Sequence, residues 1–177
     1  MGVLDDVSVV ELAIASAAPS CARALAFHGA DVVKIESRTN PDVMRLFGAV
    51  WAREMDPALY MDSSPYLGEM CANKRSVGLD LKQPDGRDAA LALLATADVF
   101  ITNYSTPAMR TLGFGYEDVA AVNPTIIYVA MPGFGSDATR FVNSPEGRQA
   151  RRRGINTRVV QAGIVRVGDA VSKIDTK

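Results

Sequence analysis

The chain has 177 residues, 48% of them apolar and 22% charged, and carries a formal net charge of −1. That length suits one domain and part of a second, the composition excludes disordered, collagenous and coiled-coil classes, and no run of about 18 apolar residues offers a membrane span. Cys21 and Cys71 are too few for a disulfide framework, and a lone histidine, His28, can neither build a zinc site nor leave room for triad chemistry without itself, so carboxylate chemistry, thiol chemistry or binding alone remain.

The first residues, Met1–Asp6, hold neither a basic nor a long apolar region, so no signal peptide is expected; reduced thiols fit a cytoplasmic protein. Val7–Leu12 is apolar and β-branched and predicts a buried strand. Small residues Ala15–Ala18 lead to Pro19, which suits a helix start, and a helix through Cys21–Phe27 stops at Gly29. Asp31–Ile35 predicts a second strand, ending at Glu36. Together these form a right-handed βαβ unit with parallel strands.

Residues 38–72 read as irregular, interrupted by Pro41, Pro57 and Pro65. Ser76–Leu81 predicts a third strand, Arg87–Ala97 a helix, and Asp98–Thr102 a fourth strand ending at Asn103-Tyr104. Tyr116–Val122 predicts a short helix closed by Asn123-Pro124, and Ile126–Met131 a fifth strand ended by Pro132–Gly135. The alternation specifies an open, mostly parallel α/β sheet with helices on both faces. Such a sheet, ending at Met131, would leave an edge and an apolar face to be covered, so a dimeric or aggregation-prone chain is expected.

The charge changes sign along the chain. Residues 148–177 hold eight Arg and Lys against two acidic residues, whereas the 147 before them hold eleven against eighteen. The change falls near Ser144–Gly147, which places a boundary around 137–147 and divides the chain into 1–137 and a basic tail, 138–177. Arg151–Arg153 reads as a solvated basic segment; without interleaved aromatics a nucleic-acid partner is not expected. Thr157–Val160 and Ile164–Val167 predict a β-hairpin turning at Gln161–Gly163.

In open α/β sheets ligands bind outside the carboxyl ends of the strands. Four segments converge there: Ala15–Ala18, Glu36–Arg38, Asn103–Tyr104 and Pro132–Gly135. No G-x-G-x-x-G follows the first strand, so a nicotinamide-type dinucleotide is disfavoured, and no Walker A sequence is present. Asn73-Lys74-Arg75-Ser76, read as lying just before a strand, is either a surface loop or a basic cluster suited to a phosphorylated ligand, with Arg38 placed to join it. Cys21 reads as a small core residue and His28 as a capping or surface residue. Cys71, beside the basic cluster, is the thiol whose pKa could be lowered.

Several stretches match a known family: Val9–Cys21 (VVELAIASAAPSC), Gly29–Arg38 (GADVVKIESR), Asn73–Leu81 (NKRSVGLDL), Ala97–Tyr104 (ADVFITNY), Met109–Tyr116 (MRTLGFGY) and Asn123–Gly135 (NPTIIYVAMPGFG). In order and spacing, residues 3–137 resemble the N-terminal part of family III CoA-transferases, the group that includes formyl-CoA and carnitine CoA-transferases. The resemblance implies a Rossmann-like domain binding coenzyme A or acyl-CoA, with no metal. It also implies transfer of CoA between carboxylic acids through an aspartyl-CoA thioester, in interlocked homodimers. By position, Ala15, Ser16 and Ala17 would line the pantetheine and thioester region. Arg38, Ala72, Asn73, Lys74 and Arg75 would hold the adenosine and its phosphates, and Asn103, Tyr104 and Arg110 would sit on the nucleotide's other side.

The sequence departs from the family where Ser16 and Ala18 replace the frequent Gln or Gly, and after Asp137, where Ala138-Thr139-Arg140 replaces the usual continuation. The nucleophilic aspartate is not recognisable; Gly168-Asp169 reads as a β-turn. The chain is therefore expected to lack turnover by itself: either a partner chain supplies the missing half, or the chain is a truncated fragment that binds CoA weakly or not at all. Residues 153–174 resemble the end of a MOSC-type β-barrel domain, without its reactive cysteine. Two other functions share the early motifs: an α-methylacyl-CoA racemase, which would need a pair of proton-transfer groups, and a non-catalytic CoA-binding or interaction module.

Overall fold

The computed structural model describes residues 2–47 and 61–132 and the backbone of 158–159. The elements, in chain order, are β1 (Ser8–Leu12), α1 (Ala17–Phe27), β2 (Asp31–Glu36), α2 (Val43–Leu46), α3 (Pro65–Cys71), β3 (Lys74–Gly78) and α4 (Pro84–Ala95). There follow β4 (Val99–Thr102), α5 (Thr106–Leu112), α6 (Tyr116–Val122), β5 (Ile127–Ala130) and β6 (Arg158–Val159).

The sheet order is β3-β2-β1-β4-β5-β6. The first five strands are parallel, with Val9 opposite Val32, Val10 opposite Phe100, Ile35 opposite Val77 and Phe100 opposite Tyr128. The fold class is the open α/β sheet that the alternation of elements specifies.

Strand alternation sends successive side chains to opposite faces. On one face Val10, Leu12, Ile35, Phe100 and Tyr128 pack with Leu94 of α4, Met109 of α5 and Val119 of α6. On the other, Val9, Val32 and Ile101 pack against Ala18, Ala22 and Ala26 of α1. The alanine stripe lets that helix lie close to the sheet. Gly29, at φ 107°, ends the turn after α1; a side chain there would collide with Asp5.

Four expectations shift. β3 begins at Lys74, two residues before the predicted Ser76, so the basic pair lies inside the strand. α4 starts at Pro84, because proline at the first helical position needs no N–H partner. For the same reason Pro65 opens α3, with the Ser64 hydroxyl accepting from Leu67 N–H, inside a stretch that read as irregular. α5 has no counterpart in the sequence reading. Ser105 caps its start, and Gly113, at φ 76°, caps its end.

The fifth strand is not the sheet's last: β6 pairs with it antiparallel, Val159 opposite Val129 and Arg158 opposite Ala130. Along those residues the expected open edge is covered. The predicted turn at 161–163, the second hairpin strand and the MOSC-like stretch's remaining residues lie outside the described residues. No helix among the described residues is long and apolar enough to cross a membrane.

Candidate functional site

The strand order reverses between β1 and β4, so the loops that follow them diverge and open a crevice at the carboxyl edge of the sheet. A cleft of about 130 Å³ lies there, walled by Leu12, Glu36, Asp42, Leu79, Lys82 and Tyr104. Glu36 and Ser37 also border a hollow of about 430 Å³ that carries Arg38 and Arg45. Tyr104 also borders a third, of about 260 Å³, that carries Arg110, Tyr116 and Pro132. The central cleft shares lining residues with each of the other two, so the three run in series along the edge.

Beneath the cleft lies a buried ionic quartet. Glu11 in β1 and Lys34 in β2 are 0% and 1% exposed, and Asp42, ahead of α2, is 4% exposed. The Lys34 ammonium donates to Glu11 Oε1 at 2.9 Å and to the Ala13 carbonyl at 2.7 Å, and pairs with Asp42 Oδ2 at 3.1 Å. The Lys74 ammonium donates to Glu11 Oε2 at 2.6 Å and to the Pro19 carbonyl at 2.8 Å. Two cations thus face two carboxylates, and no buried side-chain polar atom among the described residues lacks a partner. Burial by itself would lower the Lys34 pKa; Glu11 and Asp42 outweigh it, and the ammonium is held above its ordinary value.

The quartet and Asn103 fix the loop after β1. Asp42 Oδ1 accepts from Ala15 N–H at 2.9 Å and from Met44 N–H at 3.0 Å, the latter capping α2. Asn103 closes a ring with Ile14, accepting from its N–H at 3.0 Å and donating to its carbonyl at 2.6 Å. Between these ties Ala15 sits at φ 60°, a conformation that costs a non-glycine residue about 1–2 kcal/mol. Ser16 and Ala17, both exposed, follow at the start of α1.

The residues singled out by the sequence divide between several places. Arg38, Tyr104 and Arg110 line the serial hollows, and Ala15, Ser16, Ala17 and Asn103 form the adjoining loop and its anchor. Arg45 is occupied by Glu36, whose Oε2 lies 2.7 Å away, and by Asp62. Arg38 and Arg110 have no ion-pair partner among the described residues. Ala72 caps the end of α3, and Asn73, at φ 61°, turns the chain into β3.

Lys74 and Arg75 part company. As neighbours in a strand they face opposite sides: Lys74 joins the quartet, its side chain 1% exposed. Arg75 stands 68% exposed and pairs with Asp31 at the amino end of β2, its Nε donating at 2.8 Å. They do not converge on one phosphate-sized site in this structure. Lys82, Glu11, Lys34 and Asp42 escaped the sequence reading. A charged residue flanked by the apolar run of a buried strand, as in VVEL and VVKI, was the available signal for Glu11 and Lys34.

The thiols are not activated. Burial pushes the Cys71 thiol up, against the lowered value entertained for it, although Lys34 pulls the other way. Burial likewise raises Cys21, aided by Glu11. His28 occupies the C-cap of α1 and is exposed. Asp169 lies outside the described residues, and no group of three or more His, Cys, Asp and Glu among the described residues could hold a metal ion.

Comparison with known proteins gives one family. Formyl-CoA:oxalate CoA-transferase of Rhodopseudomonas palustris (strain TIE-1) is 33% identical over 132 residues, covering 75% of this chain and 29% of that protein. Succinyl-CoA:mesaconate CoA-transferase of Haloarcula hispanica is 37% identical over 139 residues, covering 78% and 34%. A crystal structure of a CAIB/BAIF family protein from Brucella suis superposes with a TM-score of 0.65 at 33% identity, covering 78% of this chain and 36% of that one. The chain therefore spans about a third of the length of the relatives it matches. The model of CoA-transferase family III matches residues 4–164, beyond the point at which the motifs end. This chain belongs to CoA-transferase family III.

Proposed function

We propose that the chain forms the coenzyme A-binding portion of a CoA-transferase that moves CoA between carboxylic acids. The observation that carries this reading is the run of three hollows along the carboxyl edge, from Arg38 past Tyr104 to Arg110. Adjoining hollows suit an extended ligand, and their cations suit phosphates. In this reading Arg38 and Arg110 approach the phosphate-bearing half of CoA from opposite sides, with Lys82, a third exposed cation, on the cleft between them. Ala15–Ala17 and the exposed backbone at the start of α1 meet the pantetheine and thioester. Asn73 and Arg75 remain with the adenosine only if they approach the ligand from outside the three hollows.

The transfer needs a carboxylate nucleophile that carries CoA between the two acids. This reading assigns it to no described residue and leaves it to another segment or a partner chain, with a homodimer as the assembly. The test is calorimetric titration of CoA into the 177-residue chain, with dephospho-CoA as the control. Micromolar binding is expected, weakened without the 3′-phosphate. Arg38→Ala is expected to weaken it at least tenfold, since a charged hydrogen bond contributes ~1.5–3 kcal/mol. No binding of CoA, or equal binding of both ligands by wild type and variant, would overturn the reading.

A further inference from the structure

We infer that Asp42 is a positioning residue for coenzyme A: its single buried carboxylate fixes the loop that carries Ser16 and Ala17, and so sets the thioester end of the site. This rests on the CoA reading above. Asp42 reaches three elements at once. Oδ1 accepts from Ala15 N–H at 2.9 Å and from Met44 N–H at 3.0 Å, and Oδ2 faces the Lys34 ammonium at 3.1 Å. Lys34 is itself held by Glu11 and by the carbonyl of Ala13, two residues before Ala15. The strained backbone at Ala15 is thus gripped from both sides, by Asn103 through Ile14 and by Asp42 directly. Asp42 also walls the central cleft, at the junction between loop and ligand space.

The carboxylate has two separable roles: it accepts two backbone N–H groups, and it balances charge against Lys34. Asparagine keeps the first role and loses the second, and is as good an N-cap as aspartate. Glutamate keeps the charge, but its extra methylene moves the oxygens off the Ala15 and Met44 N–H groups. Alanine loses both.

The experiment compares Asp42→Asn, Asp42→Glu and Asp42→Ala in the full chain, measuring CoA affinity by calorimetry, amide hydrogen exchange at Ala15–Ala17 without ligand, and thermal midpoint. Asp42→Asn is expected to bind CoA within threefold of wild type, with slow exchange at Ala15, despite a lowered midpoint. Asp42→Glu and Asp42→Ala are expected to lose at least tenfold in affinity and to exchange at least tenfold faster at Ala15–Ala17. If Asp42→Ala does not fold, the Asn and Glu variants decide between them. Affinity that follows the thermal midpoint across the series, or exchange unchanged in Asp42→Glu, would overturn the proposal. Failure of the wild-type chain to bind CoA would instead defeat the CoA reading, while the exchange measurement still reports whether Asp42 holds the loop.

Discussion

Two adjacent cations can have opposite fates, and Lys74 and Arg75 show why. Lys74 lies beneath the sheet's α1 face with its ammonium between Glu11 and the Pro19 carbonyl; Arg75 lies on the other face in an exposed pair with Asp31. Removing one partner of a buried pair leaves an uncompensated charge and typically costs about 3–5 kcal/mol, whereas an exposed pair contributes about 0–1 kcal/mol. Lys74→Ala is therefore expected to lower the urea midpoint severely and Arg75→Ala hardly at all. Comparable small losses in both would mean that Glu11 is satisfied by Lys34 alone. In the sequence these residues form one basic run, and nothing in residue type separates them. Only the start of β3, misplaced by two residues, decides which side chain turns inward.

At the level of elements, the helix ends explain what was legible and what was not. The end of α6 is legible because Asn123-Pro124 stops it. The same asparagine does more than the sequence signals: its Nδ2 donates to the carbonyls of Leu94 at 2.9 Å and Ala97 at 2.7 Å, finishing α4 from another element. Its Oδ1 accepts from the N–H and hydroxyl of Thr125. Such a contact joins residues 29 and 26 positions apart, so no local pattern reveals it. Asn123→Ala takes the donor from the buried Ala97 carbonyl, at about 1–3 kcal/mol, and one of two donors from the Leu94 carbonyl, which keeps the Ala97 N–H at 3.3 Å. A thermal midpoint lowered by more than about 2 °C is expected from the usual size scaling; a change below about 1 °C would show that water or Thr125 replaces the amide. Prolines misled in the other direction. Pro65 and Pro84 read as breakers or turn residues, yet each begins a helix, since the sequence does not say on which side of a proline the helix lies.

For the whole molecule, the parallel sheet and the crevice at its carboxyl edge follow from the alternation of elements, which is why both were legible. The charges buried within it were not, because their partners come from different strands and loops. Two buried groups, Lys34 and Tyr128, make stability fall at alkaline pH. The Tyr128 hydroxyl donates to the Phe114 carbonyl at 2.9 Å, and burial, helped by Asp118 and Glu117, pushes its pKa up to about 12. Lys34 is also raised above its ordinary value: burial opposes that, but Glu11 and Asp42 prevail. Both groups hold their protons more firmly folded than unfolded. Their contribution is therefore complete below about pH 10, where the unfolded chain is still protonated, and is lost at higher pH, for Tyr128 as pH rises toward about 12. For Tyr128 alone the loss amounts to about 2–3 kcal/mol. Tyr128→Phe is expected to be less stable at neutral pH by about 1–3 kcal/mol, because the Phe114 carbonyl loses its donor. It should also show a shallower fall in urea-unfolding free energy between pH 10 and 12. Parallel pH profiles for wild type and variant would place the alkaline loss on Lys34 and its carboxylates instead of on the tyrosine.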